Sequence, residues 1–274
     1  MQISSDISEH VEMFSAFRHT LSRLTVGCCG ATTSALVTLL NYFSGLDRLD
    51  LIYLLHEVDY KPAPPLSRPL VRELRISEFY PHRCGLDIFE ELSELGLRFD
   101  EVVVDGQTQV PLSALSRIIG TLGVKSKRLK LLQPFEQRMY VSPSRTSPNQ
   151  TPTPTDNPGD GFMLLSRCRE LQELELAVGF LGFKEVAVLS SITSTRIQKV
   201  TLVFQHSWHN VNWKIFDKPL CRLADQLGCA HRLEVDIRTI VTEVGEVAKI
   251  VDSLAGFREK GEIRVVRVRR GEGN

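Results

Sequence analysis

Residues 46–51 read LDRLDL and residues 71–76 read VRELRI. In each, an apolar residue is followed by two others, a second apolar residue, one more residue and a third apolar residue: Leu46, Leu49, Leu51 and Val71, Leu74, Ile76. The last two sit two apart, the period of a strand that buries one face. The string returns as LSRLTV (Leu21, Leu24, Val26), FDEVVV (Phe99, Val102, Val104), LQELEL (Leu171, Leu174, Leu176) and IQKVTL (Ile197, Val200, Leu202). Copies lacking the first apolar residue are SKRLKL (Leu129, Leu131), AHRLEV (Leu233, Val235) and KGEIRV (Ile263, Val265). The fourth residues stand at 24, 49, 74, 102, 129, 174, 200, 233 and 263, with gaps of 25, 25, 28, 27, 45, 26, 33 and 30. The outlying gap contains residues 142–161, a stretch of 20 of which 16 are Ser, Thr, Pro, Asn or Gly. Without it the gap of 45 becomes 25.

Between the copies, apolar residues fall at helical spacing. These are Leu36, Leu39, Leu40, Phe43; Phe89, Leu92, Leu95; Leu115, Ile118, Ile119, Leu122; and Leu220, Leu223, Ala224, Leu227, with Pro219 suited to a first turn. The longest stripe is Val244, Val247, Ile250, Val251, Leu254 and Phe257. Each unit is therefore a strand, a turn and an amphipathic helix, and one unit alone cannot bury both its strand and its helix. Stacking about nine of them predicts an α/β solenoid over residues 1–274, with a curved parallel sheet inside and helices outside. Residues 1–20 are expected to form a helix belonging to a partial or capping unit, and residues 142–161 a disordered insert. The residue between the two core positions of each strand would face outward: Thr25, Asp50, Arg75, Val103, Lys130, Glu175, Thr201, Glu234 and Arg264. On adjacent strands Asp50 would face Arg75, Lys130 would face Glu175 and Glu234 would face Arg264, each pair stabilising by about 0.2–1 kcal/mol.

With 33 basic and 33 acidic residues in 274, the chain has no net charge, which argues against a protein built to hold phosphate backbones. Residues 24–46 carry no charge, but 11 of these 23 are Thr, Ser, Asn, Tyr or Gly, a poor match for the roughly 20 predominantly apolar residues of a membrane span. The start, MQISSDISEHVEMF, has neither the basic nor the apolar part of a signal peptide. The six cysteines form no C-x-x-C pair. The expectation is a cytoplasmic or nuclear protein with reduced thiols and no zinc knuckle.

The recurrent units resemble leucine-rich repeats, whose period is about 20–29 residues. The stretches FRHTLSRLTVGCCGATTSALVTLLNYFSGLDRLDL, VLSSITSTRIQKVTLVF and FREKGEIRVV further resemble the divergent F-box/leucine-rich-repeat proteins numerous in mushroom-forming fungi. That resemblance implies substrate recognition for a cullin-type ubiquitin ligase, reached through an adaptor. The helical F-box segment itself is not seen: only about 20 residues precede the first copy, and Val11, Phe14, Phe17 and Leu21 read there as one amphipathic helix. The family's Asn or Cys, three places after the last leucine, is matched only by Cys29, so irregular units are expected.

No G-x-G-x-x-G, G-x-x-x-x-G-K or G-x-S-x-G occurs, and no catalytic set, cofactor or metal is expected. His206 and His209 are three apart but have no acidic or cysteine ligand within their segment. Trp208 and Trp213 mark either a partner-contacting loop or a cover for the end of the sheet. Ser142, Ser147, Thr151 and Thr153 each precede proline and suit a proline-directed kinase. The leading reading is a non-catalytic protein-binding scaffold whose contact row is Asp50, Arg75, Lys130, Glu175, Thr201, Glu234 and Arg264. The alternatives are an α/β nucleotide-binding enzyme, supported by Gly27 and Gly30 between strand and helix, and a truncated remnant without function.

Overall fold

The structure, a computed structural model, describes residues 16–27, 30–52, 55–56, 63–67, 70–77, 87–105, 112–132, 165–179, 182–204, 211–227, 232–239 and 244–267. Its strands are β1 (Arg23–Gly27), β2 (Arg48–Ile52), β3 (Leu70–Ser77), β4 (Arg98–Asp105), β5 (Arg128–Leu131), β6 (Glu173–Val178), β7 (Lys199–Phe204), β8 (Glu234–Thr239) and β9 (Glu262–Arg267). They form one nine-stranded sheet whose spatial order is the chain order. Every pairing is parallel. A two-residue bridge, Gly30–Ala31 with Leu55–His56, follows β1 and β2.

The register follows the apolar column: Leu24, Leu49, Leu74, Val102, Leu129, Leu174, Val200, Val235 and Ile263 lie side by side. β5 pairs directly with β6, so residues 142–161, which lie outside the described residues, fall between adjacent strands. The expected column is corrected at β8, where Val235 and not Leu233 lies beside Val200. The true spacings there are 235 − 200 = 35 and 263 − 235 = 28. Leu233 misleads because it too is fully buried, but it packs in the turn before the strand.

The helices are α1 (Thr33–Tyr42), α2 (Asp87–Glu94), α3 (Leu112–Leu122), α4 (Phe183–Ser191), α5 (Lys214–Leu227), α6 (Val244–Ser253) and α7 (Ala255–Arg258). Thr32 opens α1, its side chain accepting from the Ala35 N–H. α5 starts earlier than expected, which places Pro219 inside the helix rather than in its first turn. Burial of Trp213 and Phe216 draws the extra turn onto the sheet, and this offsets the backbone bond that Pro219 cannot donate. The long stripe of residues 244–257 is two helices, broken at Leu254. α4 has no counterpart in the sequence reading. Its buried stripe, Glu185, Val188, Leu189 and Ile192, begins with an acid, which hides the period.

Neighbouring helices touch along the chain: α1 on α2, α2 on α3, α4 on α5 and α5 on α7. One continuous apolar cluster joins them to the inner face of the strands, from Val26 to Phe257. The turns before β2, β6 and β7 repeat one pair of bonds. The Ser22 carbonyl accepts the Asp47 and Arg48 N–H groups, that of Lys127 accepts Gln172 and Glu173, and that of Gln172 accepts Gln198 and Lys199. These bonds satisfy the backbone where those units meet their neighbours.

Candidate functional site

Strand residues alternate between two faces. With Leu49 and Leu51 turned into the core, Arg48 and Asp50 share the opposite face, and the register carries that alternation across all nine strands. One row on that face is Thr25, Asp50, Arg75, Val103, Lys130, Glu175, Thr201, Asp236 and Arg264. Asp236 therefore takes the place expected for Glu234. Glu234 stands one step earlier, between Lys199 and Glu262, though on the same face.

That earlier position is a second row, which the sequence reading passed over: Arg23, Arg48, Glu73, Glu101, Arg128, Glu173, Lys199, Glu234 and Glu262. All of these are charged. The signal was available, since each stands immediately before an apolar column residue. Together the rows alternate in sign across the middle of the sheet. β4 offers Glu101, β5 Arg128 and Lys130, β6 Glu173 and Glu175, β7 Lys199, and β8 Glu234 and Asp236.

The charges are held mainly by one another. The expected register of Asp50 beside Arg75 and Lys130 beside Glu175 is present, but the ion pairs go elsewhere. The Asp50 side chain, 2% exposed, accepts from Arg48 Nε at 2.7 Å, Arg23 Nε at 2.7 Å and Thr25 Oγ1 at 3.3 Å. Arg75 pairs with Asp105. Lys130 reaches Glu101 at 2.6 Å, and Arg128 reaches the same carboxylate at 3.1 Å. Lys199 holds Asp236 at 2.6 Å and Glu234 at 3.0 Å. Arg264 joins Glu234 at 3.0 Å on the diagonal and Glu262 at 2.8 Å. Arg128 with Glu101, Lys199 with Glu234 and Arg48 with Glu73 are directly opposed, while Lys130, Lys199 and Arg264 also reach acids on the diagonal, as long cationic side chains can. The hydrogen bond to Asp50 holds the Arg48 pKa above its ordinary value, and hydrogen bonds to Asp236 and then Glu234 do the same for Lys199.

Two pairings stand apart. Glu175 meets Arg238 at 3.5 Å from both carboxylate oxygens, the longest ion pair among the described residues of this face. Asp236 is bonded through Oδ2, while its Oδ1 is buried and has no hydrogen-bond partner among the described residues.

Trp213 is corrected as a surface contact. It is 6% exposed and packs on Phe204, ring centroids 4.3 Å apart, and on Phe216. It covers the end of β7, the other reading of that segment. Trp208, His206, His209, Ser142, Ser147, Thr151 and Thr153 lie outside the described residues. Among the described residues no group of His, Cys, Asp and Glu is arranged to hold a metal, and no helix is long and apolar enough to cross a membrane.

No protein-family model matches this chain, and no curated protein matches it either.

Proposed function

We propose that this chain is an irregular leucine-rich-repeat solenoid acting as a non-catalytic scaffold, with the charged face of its sheet as the concave surface that receives a protein partner. The supporting observation is the nine-stranded parallel sheet in strict chain order, with two charged rows in register across it. Helices are wider than strands. A stack whose described helices all lie against one face of the sheet bends with the strands inside, and among the described residues no helix or strand covers the other face. Such faces suit extended contact with another macromolecule. Mixed sign along the rows favours a protein over a polyanion.

The strand order also weighs against the nucleotide-binding alternative. Doubly wound enzymes bind their cofactor where strand order reverses, and this order never reverses. The likeness to F-box proteins extends the scaffold reading to substrate recognition for a ubiquitin ligase, with the adaptor engaged through a segment outside these units. Affinity purification with Arg75→Ala and Glu175→Ala, alongside a tagged cullin adaptor, tests both levels. Weaker recovery of a partner, with Tm within a few degrees of the parent, is expected. Unchanged recovery with both variants would remove the concave-face assignment. Lack of adaptor association would remove the ligase extension alone.

A further inference from the structure

Building on that scaffold reading, we infer that the strip of the sheet face formed by β6, β7 and β8 is an acceptor for a basic side chain of the partner, held closed in the free protein by Arg238. The register places Glu175, Thr201 and Asp236 in one line. Strand spacing of about 4.8 Å puts the two acids roughly 10 Å apart across a small, buried threonine. Glu173 and Glu234 stand one position back on the same two strands, flanking Lys199. Four carboxylates, Glu173, Glu175, Glu234 and Asp236, thus surround Thr201 and a single cation, Lys199.

Their internal cations do not saturate them. Lys199 is shared between Asp236 and Glu234, Arg264 between Glu234 and Glu262, and Arg128 is engaged with Glu101. Among the described residues Arg238 alone reaches Glu175, crossing β7 to do so, and at 3.5 Å it is outside good charge-assisted geometry. The Asp236 carboxylate is 9% exposed, and its Oδ1 has no donor among the described residues, a costly state for a buried acceptor. A second guanidinium or ammonium entering between Glu175 and Asp236 would displace Arg238 toward solvent, where it is already 39% exposed. It would give Glu175 a closer partner, with the Asp236 carboxylate adding negative charge across Thr201.

The partner class is therefore a protein segment presenting Arg or Lys in an extended chain, where side chains two apart share a face. The probe is a fluorescein-labelled GRGRGRGRG peptide, with GEGEGEGEG as its counterpart, followed by fluorescence anisotropy on the full chain. The arginine peptide is expected to bind more weakly as salt rises and at least tenfold more weakly to Glu173→Gln/Glu175→Gln. Glu73→Gln, on the same face at β3, is expected to change little. Arg238→Ala is expected to tighten binding several-fold, because it removes the internal competitor; loss of a merely structural pair would not do this. No binding of the arginine peptide, equal binding of the acidic one, equal effects of the β3 and β6 variants, or no gain from Arg238→Ala would each overturn the inference. Arg75 lies outside this strip. Loss of partner recovery with Arg75→Ala but no gain from Arg238→Ala would thus sink this site and leave the scaffold standing.

Discussion

Cys168 is buried beneath the turn that precedes β6, and desolvation pushes its thiol up to about 12 from an ordinary 9.0. Folding therefore holds the proton more tightly than the unfolded chain does. Stability from this group is complete below pH 9 and declines as pH rises toward 12, by about 4 kcal/mol at the top of that window. Thermal unfolding of the parent should show this alkaline loss, and Cys168→Ala, though less stable throughout, should lack that component of the slope. Iodoacetamide mapping on the native protein should leave Cys168 unlabelled. Asp50 and Asp236 show the other side of burial. Both are short acids on the charged face, but Asp50 is satisfied by Arg23, Arg48 and Thr25, while Asp236 keeps one oxygen unpaired among the described residues. Identical chemistry in one row has two fates, set by which long side chains the neighbouring strands supply.

At the scale of an element, the entry to α4 combines a backbone constraint with a packing one. Gly182 is its N-cap, with φ at 67°, in the left-handed region that L residues avoid. A Cβ there would lie 2.8 Å from the Phe216 ring, which is fully buried in α5. Glu185, buried in the first turn, accepts the Gly179 N–H at 3.1 Å and so ties the end of β6 to the helix. Gly182→Ala should therefore cost more than the roughly 1–2 kcal/mol of a left-handed residue alone. Urea denaturation is expected to show a loss of about 3 kcal/mol. A loss below about 1 kcal/mol would mean that α4 and α5 separate easily. Side chains tie other junctions too. Arg222 on α5 donates to the Leu189 and Ile192 carbonyls at the end of α4, and the Asp217 side chain accepts the Phe257 N–H of α7.

Across the whole molecule, each unit contacts mainly its neighbours, and the insert tests that organisation. Because Leu129 and Leu174 are register partners, residues 142–161 lie between strands that already pair. Removing them halves the connection, for which loop-closure entropy gives a change of about 0.6 kcal/mol. The deletion chain is expected to unfold within a few degrees of the parent Tm in a single transition. A large loss or two separate transitions would show that these residues belong to the packed structure.

The order of units was legible from the amino-acid sequence because each strand repeats its own apolar spacing, and that spacing is local. Leu24, Leu49, Leu74, Val102 and Leu129 announce their column without reference to anything distant, as do five intervening helical stripes. Two things were not local. Leu233 and Val235 are equally apolar, and only pairing with Val200 and Ile263 decides which one enters the column. Nor could every salt-bridge partner be read from opposed positions: Arg48 with Glu73, Arg128 with Glu101 and Lys199 with Glu234 are opposed, the others are not. The pairing of those others depends on how far Arg23, Arg75, Lys130 and Arg238 reach across strands, and that distance exists only once the sheet has brought residues up to 63 positions apart together. Spacing along the chain thus determined the column and the alternating charges, while three-dimensional proximity decided their pairing.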